Sequence, residues 1–262
     1  MRRERVPIVV VALAVIGAAF FILPLLGLVV KSPWQDAVAA LTAPETVEAL
    51  KLSLFASLSA TVAGLVFGVP LAWLYARVEF PGRDLLRALT TLPMVLPPVV
   101  GGIALLLAFG RRGLVGSWLY STFGITFPFT TAGVVMAETF VAMPFLILTV
   151  EAGFRSMDRR YEEAARALGA SRWRVFTRVT LPLIGPSLFA GAVLCWARAL
   201  GEFGATITFA GNFPGVTQTM PLAVYLLLGT NQQADSFILS LVLLLISLAV
   251  LVGLRDRWLG SA

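Results

Sequence analysis

Of 262 residues, 58% are hydrophobic and only 13% are charged, well above the roughly 45–50% apolar share of soluble domains. The chain is therefore read as an all-α polytopic membrane protein, a single membrane domain over 1–262 that leaves no room for an ATPase domain as well. The formal charge of +6 falls in loops between apolar runs, so it is assigned to membrane topology rather than to nucleic acid. With no histidine and one cysteine, Cys195, the chain cannot form an internal disulfide, a Cys–His or Ser–His pair, or a His/Cys metal cluster.

The first element begins after Met1-Arg-Arg-Glu-Arg5, a charged start like that of a signal peptide. The apolar run Val6–Val30 exceeds the roughly 7–15 residues of a signal core and reaches the roughly 20 that a spanning helix needs. It is read as a retained first membrane helix. Five more apolar segments follow, near Leu50–Ala76, Leu86–Phe109, Thr130–Val150, Leu183–Phe209 and Ser236–Leu254. Six transmembrane helices result. Fifteen of the 20 Lys and Arg fall on one side: Arg2, Arg3 and Arg5, then Arg77, Arg83 and Arg87, seven arginines between Arg155 and Arg178, and Arg255 and Arg257. The positive-inside bias puts both termini and the 151–182 loop in the cytoplasm of a plasma-membrane protein. The opposite loops, 31–49, 110–129 and 210–233, hold turn residues such as Pro33, Gly113 and Gly215 and no soluble domain.

The third span opens with Leu92-Pro-Met-Val-Leu-Pro-Pro-Val-Val-Gly-Gly102. Its prolines remove amides and loosen the helix, and broken helices in lipid occur where they pack on protein or line a polar cavity. Pro97 and Pro98 thus mark either a structural kink or a pathway element. Glu138 is an ionisable residue inside the fourth span.

The loop between the fourth and fifth spans runs Tyr161-Glu-Glu-Ala-Ala-Arg-Ala-Leu-Gly169 and then Ala170-Ser-Arg-Trp-Arg-Val-Phe-Thr-Arg-Val-Thr-Leu-Pro182. Asp158 is placed to cap a first helix, Gly169 to end it in a left-handed position, and Ser171 to cap a second helix running to Leu181. Tyr161, Ala164, Ala165 and Leu168 share one face by i, i+3, i+4, i+7 spacing. Two small residues between larger apolar ones make a shallow surface, which fits either a protein partner or a bed of lipid headgroups.

In the fifth span, Ala197-Arg-Ala-Leu-Gly-Glu-Phe-Gly-Ala-Thr206 sets Arg198 and Glu202 one turn apart, where they can pair. A charge in mid-membrane costs at least about 2.5–3.5 kcal/mol and faces protein or a wet cavity. The pair is either structural or part of a pathway or gate, with Thr206 beside it and Glu138 as a further partner for Arg198.

Glu163-Ala164-Ala165, Gly169, Val179 and Leu181-Pro182 resemble, in order and spacing, the "EAA" loop of ABC importer permeases, with valine at 179 where isoleucine is usual. The resemblance implies a type I ABC importer permease fold with an ATPase-coupling helix in the loop near 158–182. Tyr161, Glu163, Ala164, Ala165, Leu168, Gly169, Leu181 and Pro182 would form the ATPase contact. The stretch from Arg198 to Asn212, Gln218-Thr-Met-Pro-Leu-Ala-Val-Tyr225, Pro97-Pro98 and Phe140-Val-Ala-Met-Pro-Phe145 resemble the permeases for molybdate, and next for sulfate. Glu138 departs from that group, in which an uncharged polar residue is expected. The resemblance implies a homodimer, two ATPase subunits that bind ATP and magnesium, an extracytoplasmic anion-binding protein, and molybdate or a related oxyanion (tungstate, sulfate or thiosulfate) as cargo. No cofactor is expected in this chain, and no Gly-x-x-x-x-Gly-Lys-[Ser/Thr] loop occurs in it. The alternative class is an ion-coupled secondary transporter with Glu138, Arg198 and Glu202 as its relay. Reporter fusions test the topology: those after Lys31, Gly113 and Gly215 should read outside, and those after Arg83, Arg166 and Arg257 inside. An inside signal at Gly215 would overturn the orientation.

Overall fold

The computed structural model describes residues 7–230 and 232–259, helical in nearly every element and without strands among the described residues. Arg2, Arg3 and Arg5 of the charge argument lie outside the described residues, as do the side chains of Arg255 and Arg257. Helix α1, Ile8–Lys31, has no buried residue and touches α12, Gln233–Leu259. Helix α2, Pro44–Arg77, starts several residues before the predicted span and is 34 residues long. Pro44 takes a first-turn position, where its missing amide costs nothing. The buried face of α2 is small, with Ala49, Ser53, Ala56, Ser57 and Ala60, and small faces allow helices to approach closely in lipid.

The helix α6, Thr131–Ser156, is the hub. Thr130 caps it, its hydroxyl accepting the Gly133 amide at 3.1 Å. Val134, Ala137, Ala142, Leu146, Ile147, Val150 and Phe154 are fully buried, because α6 packs against α2, α4 (Pro98–Phe109), α9 (Gly185–Leu200) and α10 (Gly204–Phe209).

Four helices are long and apolar enough to span, and two bent pairs bring the number to six if each pair is one span. The bends change two predicted boundaries. The third segment is not a straight helix over Leu86–Phe109. It consists of α3, Arg83–Met94, and α4, with a bend of 119° between them. Pro93, Pro97 and Pro98 interrupt the amide ladder, and the Pro97 carbonyl begins a new helix by accepting from Val100 and Gly101 at 2.9 and 3.2 Å. Helix α3 carries Arg83, Asp84 and Arg87, and a charged helix is disfavoured within hydrocarbon. The 12 residues of α4 rise about 18 Å against a core of about 30 Å.

The fifth segment is also broken. Helix α8, Arg172–Leu183, meets α9 at 71°, and Gly201–Phe203 separate α9 from α10. The stretch 210–233, read from sequence as an outside loop, contains the helix α11, Met220–Gly229, packed between α2 and α12. Its run Met-Pro-Leu-Ala-Val-Tyr-Leu-Leu-Leu-Gly is apolar but too short to be recognised as a span. The stretch 110–129, read from sequence as another outside loop, contains α5, Gly116–Phe123.

Candidate functional site: the basic loop and the paired helix breaks

The loop folds as its capping residues dictate. Asp158 Oδ1 accepts the Arg160 amide at 2.9 Å, and α7 follows over Arg160–Ala167. Gly169 has φ +83°, a conformation that only glycine adopts without strain. Gly169 N–H donates to Arg166 and Ala170 N–H to Ala165, at 2.9 and 3.1 Å, the paired bonds of a Schellman motif. Ser171 Oγ then accepts the Arg174 amide at 3.4 Å, and α8 continues to Leu183 through a π turn over Phe176–Thr180.

On α7, Tyr161 and Leu168 are 59% and 90% exposed, Glu163 and Ala164 are exposed, and Ala165 is half-buried. Leu181 is different. It packs against the core cluster around Phe154 and Ile184, at the joint between loop and span, while Pro182 next to it is exposed.

Sequence reasoning singled out Glu163 and missed its neighbour. Glu162 is 7% exposed and accepts the Thr180 hydroxyl at 2.8 Å, with Arg77 and Arg166 at 3.8 and 3.7 Å. It ties α7 to both α8 and the end of α2. Glu151 is its counterpart on α6: 1% exposed, it pairs with Arg155 at 2.7 Å and with Arg87 of α3 at 3.1 Å. The Glu151–Arg155 spacing was legible as an i, i+4 pair, whereas Arg87 and Arg77 come from distant segments that no local pattern links.

Within the span region, Pro98 and Gly204 bring the two breaks together. A Cβ on Gly204 would lie 2.8 Å from Pro98 Cβ, and one on Gly102 would lie 2.6 Å from Thr208, so only glycine permits the contact between α4 and α10. Glu202, 1% exposed, spans the second break. One carboxylate oxygen accepts the Ala205 amide at 2.8 Å and the other faces Arg198 at 2.5 Å. Arg198 retains 28% exposure of its side chain. Glu138 is equally buried, with Oε2 free of hydrogen bonds, and lies within electrostatic range of Glu202. It does not partner Arg198: among the described residues Glu138 forms no ion pair, and Arg198 pairs with Glu202. Thr206 is fully buried with an unpartnered hydroxyl, while Pro97 is exposed.

The 213–219 turn was missed as a site. Phe213 carbonyl accepts from Val216, Thr217 and Gln218, Ser53 accepts the Met220 amide at 2.7 Å, and Gln218 Nε2 and Thr219 Oγ1 are buried without partners. Among the described residues no group of acidic, His or Cys side chains is placed to hold a metal. Glu162 and Glu163 should differ sharply on substitution. Glu162→Ala strands Arg77 and Thr180 and should destabilise the solubilised protein by about 1–3 kcal/mol, whereas Glu163→Ala should leave thermal unfolding unchanged. Equal shifts would show that Glu162 is not the anchor.

Residues 64–261 match the family described as "binding-protein-dependent transport system inner membrane component". The chain is 44% identical over 244 residues to the molybdenum transport system permease protein ModB of Mycobacterium tuberculosis, covering 93% of this chain and 92% of that one. It is 37% identical over 237 residues to the sulfate transport system permease protein CysT of Escherichia coli, covering 89% and 85%. A crystal structure of a bacterial ABC transporter that imports the acidic polysaccharide alginate superposes with a TM-score of 0.76 at 19% identity, covering 97% of this chain and 96% of that one; it shares the fold, that of ABC importer permeases. A helical multi-pass membrane chain with this loop and this fold thus belongs to the inner membrane components of binding-protein-dependent transport systems.

Proposed function

We propose that this chain is the translocating subunit of an ATP-driven molybdate importer. Two copies form the anion pathway, both termini lie in the cytoplasm, and each loop docks on one of two ATPase subunits, which bind ATP with magnesium and hydrolyse the ATP. An extracytoplasmic binding protein delivers the anion to the opposite face. The observation that carries the reading is the construction of α7. Its outer face, Tyr161, Ala164 and Leu168, is exposed, while Glu162 on its inner face is tied to α2 and α8.

A push on such a helix moves the ends of two membrane helices instead of being lost in a flexible loop. Helix α8 turns into α9, and α9 ends at Arg198 and Glu202 beside the break that packs on Pro98. Displacing the loop therefore loads the joint at which α4 and α10 meet. That joint is the proposed gate, and Arg198 is the cation that meets the passing oxyanion. The 44% identity to a molybdenum permease supports molybdate as cargo. Sulfate is the second reading, supported by the 37% identity to a sulfate permease.

Proteoliposomes holding this chain, its ATPase and its binding protein should take up molybdate only with ATP, with sulfate competing weakly. Uptake driven by a proton or sodium gradient without ATP would replace the proposal with secondary transport. In the same system, Ala165→Asp and Gly169→Val should leave the permease in the membrane while the ATPase no longer co-purifies. Aspartate places an unpaired charge in a close contact, and valine opposes the left-handed backbone at 169.

The double variant Arg198→Met with Glu202→Gln tests the gate. Glutamine keeps a carbonyl oxygen for the Ala205 amide, so the start of α10 is preserved while both charges are removed. The assembled variant should hydrolyse ATP and deliver little molybdate. Normal uptake would reduce the pair to a structural role.

A further inference from the structure

A cavity of about 650 Å³ lies on the basic side, between the end of α2, the inner face of α7 and the first turns of α8. The proposed gate does not use it, and of the residues in the proposed ATPase contact only Glu163 reaches its wall. Arg77 stands in its wall with a side chain only 8% exposed, and its Nε and Nη2 have no hydrogen-bond partner. Glu162, its nearest carboxylate, is 3.8 Å away, beyond hydrogen-bond length, and already accepts from Thr180. A buried guanidinium with unused, directed N–H groups is costly unless something accepts from it.

The charge around the cavity has the same sense. Arg159, Arg166 and Arg172 line it with Arg77, against two carboxylates, Glu162 and Glu163. The remaining wall is mostly apolar, with three aromatic rings. Trp173 stacks on Phe176 with centroids 6.0 Å apart, and Trp73 meets Phe176 edge-on at 6.2 Å. Pro70, Trp73 and Arg77 follow one face of α2 at i, i+3, i+7, so the apolar part lies toward the membrane and the guanidiniums at its end. A fork of N–H donors on arginine matches the paired oxygens of a phosphate group, and basic pockets at helix ends take the headgroups of anionic lipids.

We propose that this cavity binds a phosphate-type oxyanion, carried on an anionic lipid headgroup or free in solution, with Arg77 as the buried contact and Arg159, Arg166 and Arg172 around it. An occupant joins Arg77 of α2 to Arg166 of α7 and Arg172 of α8. It therefore sets the stiffness of the loop from behind, on the face away from the exposed docking surface. The aromatic wall fits the glycerol and first acyl carbons of a lipid and gives a bare phosphate little to touch.

The test uses the purified full-length chain in detergent, with thermal unfolding followed during titration with dioleoylphosphatidylglycerol, dioleoylphosphatidylcholine or inorganic phosphate. The variants are Arg77→Gln and the exposed pair Arg159→Gln with Arg172→Gln, whose sites are open enough for folding to persist. Phosphatidylglycerol should raise the unfolding temperature and phosphatidylcholine should not. The half-saturating concentration should rise about fivefold for each arginine removed. If inorganic phosphate gives the same stabilisation and competes with phosphatidylglycerol, the site is confirmed with a free anion as its ligand. An equal response to both lipids with none to phosphate overturns the proposal. So does a half-saturation point unchanged in the double variant, whatever Arg77→Gln does. No ATPase, binding protein or ATP is present, so failure here leaves the transport proposal standing, and the converse also holds.

Discussion

A helix broken inside a bilayer must satisfy its freed backbone groups with protein, because hydrocarbon offers no partner. Two of this chain's helix breaks meet at one joint. The Pro97–Pro98 break starts α4, and the Gly201–Phe203 break starts α10. At the second, Glu202 substitutes for the missing ladder by accepting the Ala205 amide. The resulting buried carboxylate then needs a cation, and Arg198 one turn back supplies it. The pair is thus the consequence of breaking the helix as much as a device in its own right. Gly204 and Gly102 complete the joint by letting α4 and α10 approach to distances that any side chain would block.

The basic side obeys a related constraint. Helices α3 and α7 carry too much charge to span, and most of their apolar side chains are not packed within the chain. Each is anchored by one buried glutamate. Glu151 on α6 takes Arg87 of α3, and Glu162 on α7 takes Thr180 and faces Arg77. In both, the carboxylate is nearly inaccessible and reaches across segments, so the anchor is a tertiary contact. Arginine numbers on this side therefore do more than set orientation, since some of those guanidiniums are structural.

The parts of this architecture that are local were legible in the sequence. Asp158, Gly169 and Ser171 cap and end helices where their chemistry requires, since capping depends on neighbours within a few residues. The Arg198–Glu202 pair followed from i, i+4 spacing. What was not legible depends on partners far along the chain. Glu162 and Glu163 are adjacent acidic residues on one helix, and only the position of Thr180 and Arg77 decides that the first is buried and the second is not. Hydropathy merged α3 with α4 because Leu85, Leu86, Leu89 and Leu92 extend the apolar run, while the bend is fixed by three prolines and by charges on the other face of α3. Helix α11 escaped notice for the opposite reason: at 10 residues it is too short for a span and is buried by α2 and α12 rather than by lipid.

The two regions are joined by covalent helix and side-chain packing. From Glu162 the contact passes to Thr180, along α8 to Ile184, a buried member of the central cluster, and through the 71° bend into α9. Helix α9 packs along α6 and ends at Arg198 and Glu202, which fix the start of α10. Gly204 then meets Pro98. Close-packed interiors transmit displacement because few voids are available to absorb it. In the proposed coupling, helix α6, which holds Glu151 at one end and Glu138 near the joint, is the reference against which this path would move. An arrangement in which the loop and the breaks share one packed route, with the hub helix beside both, supports the proposed drive from the basic side.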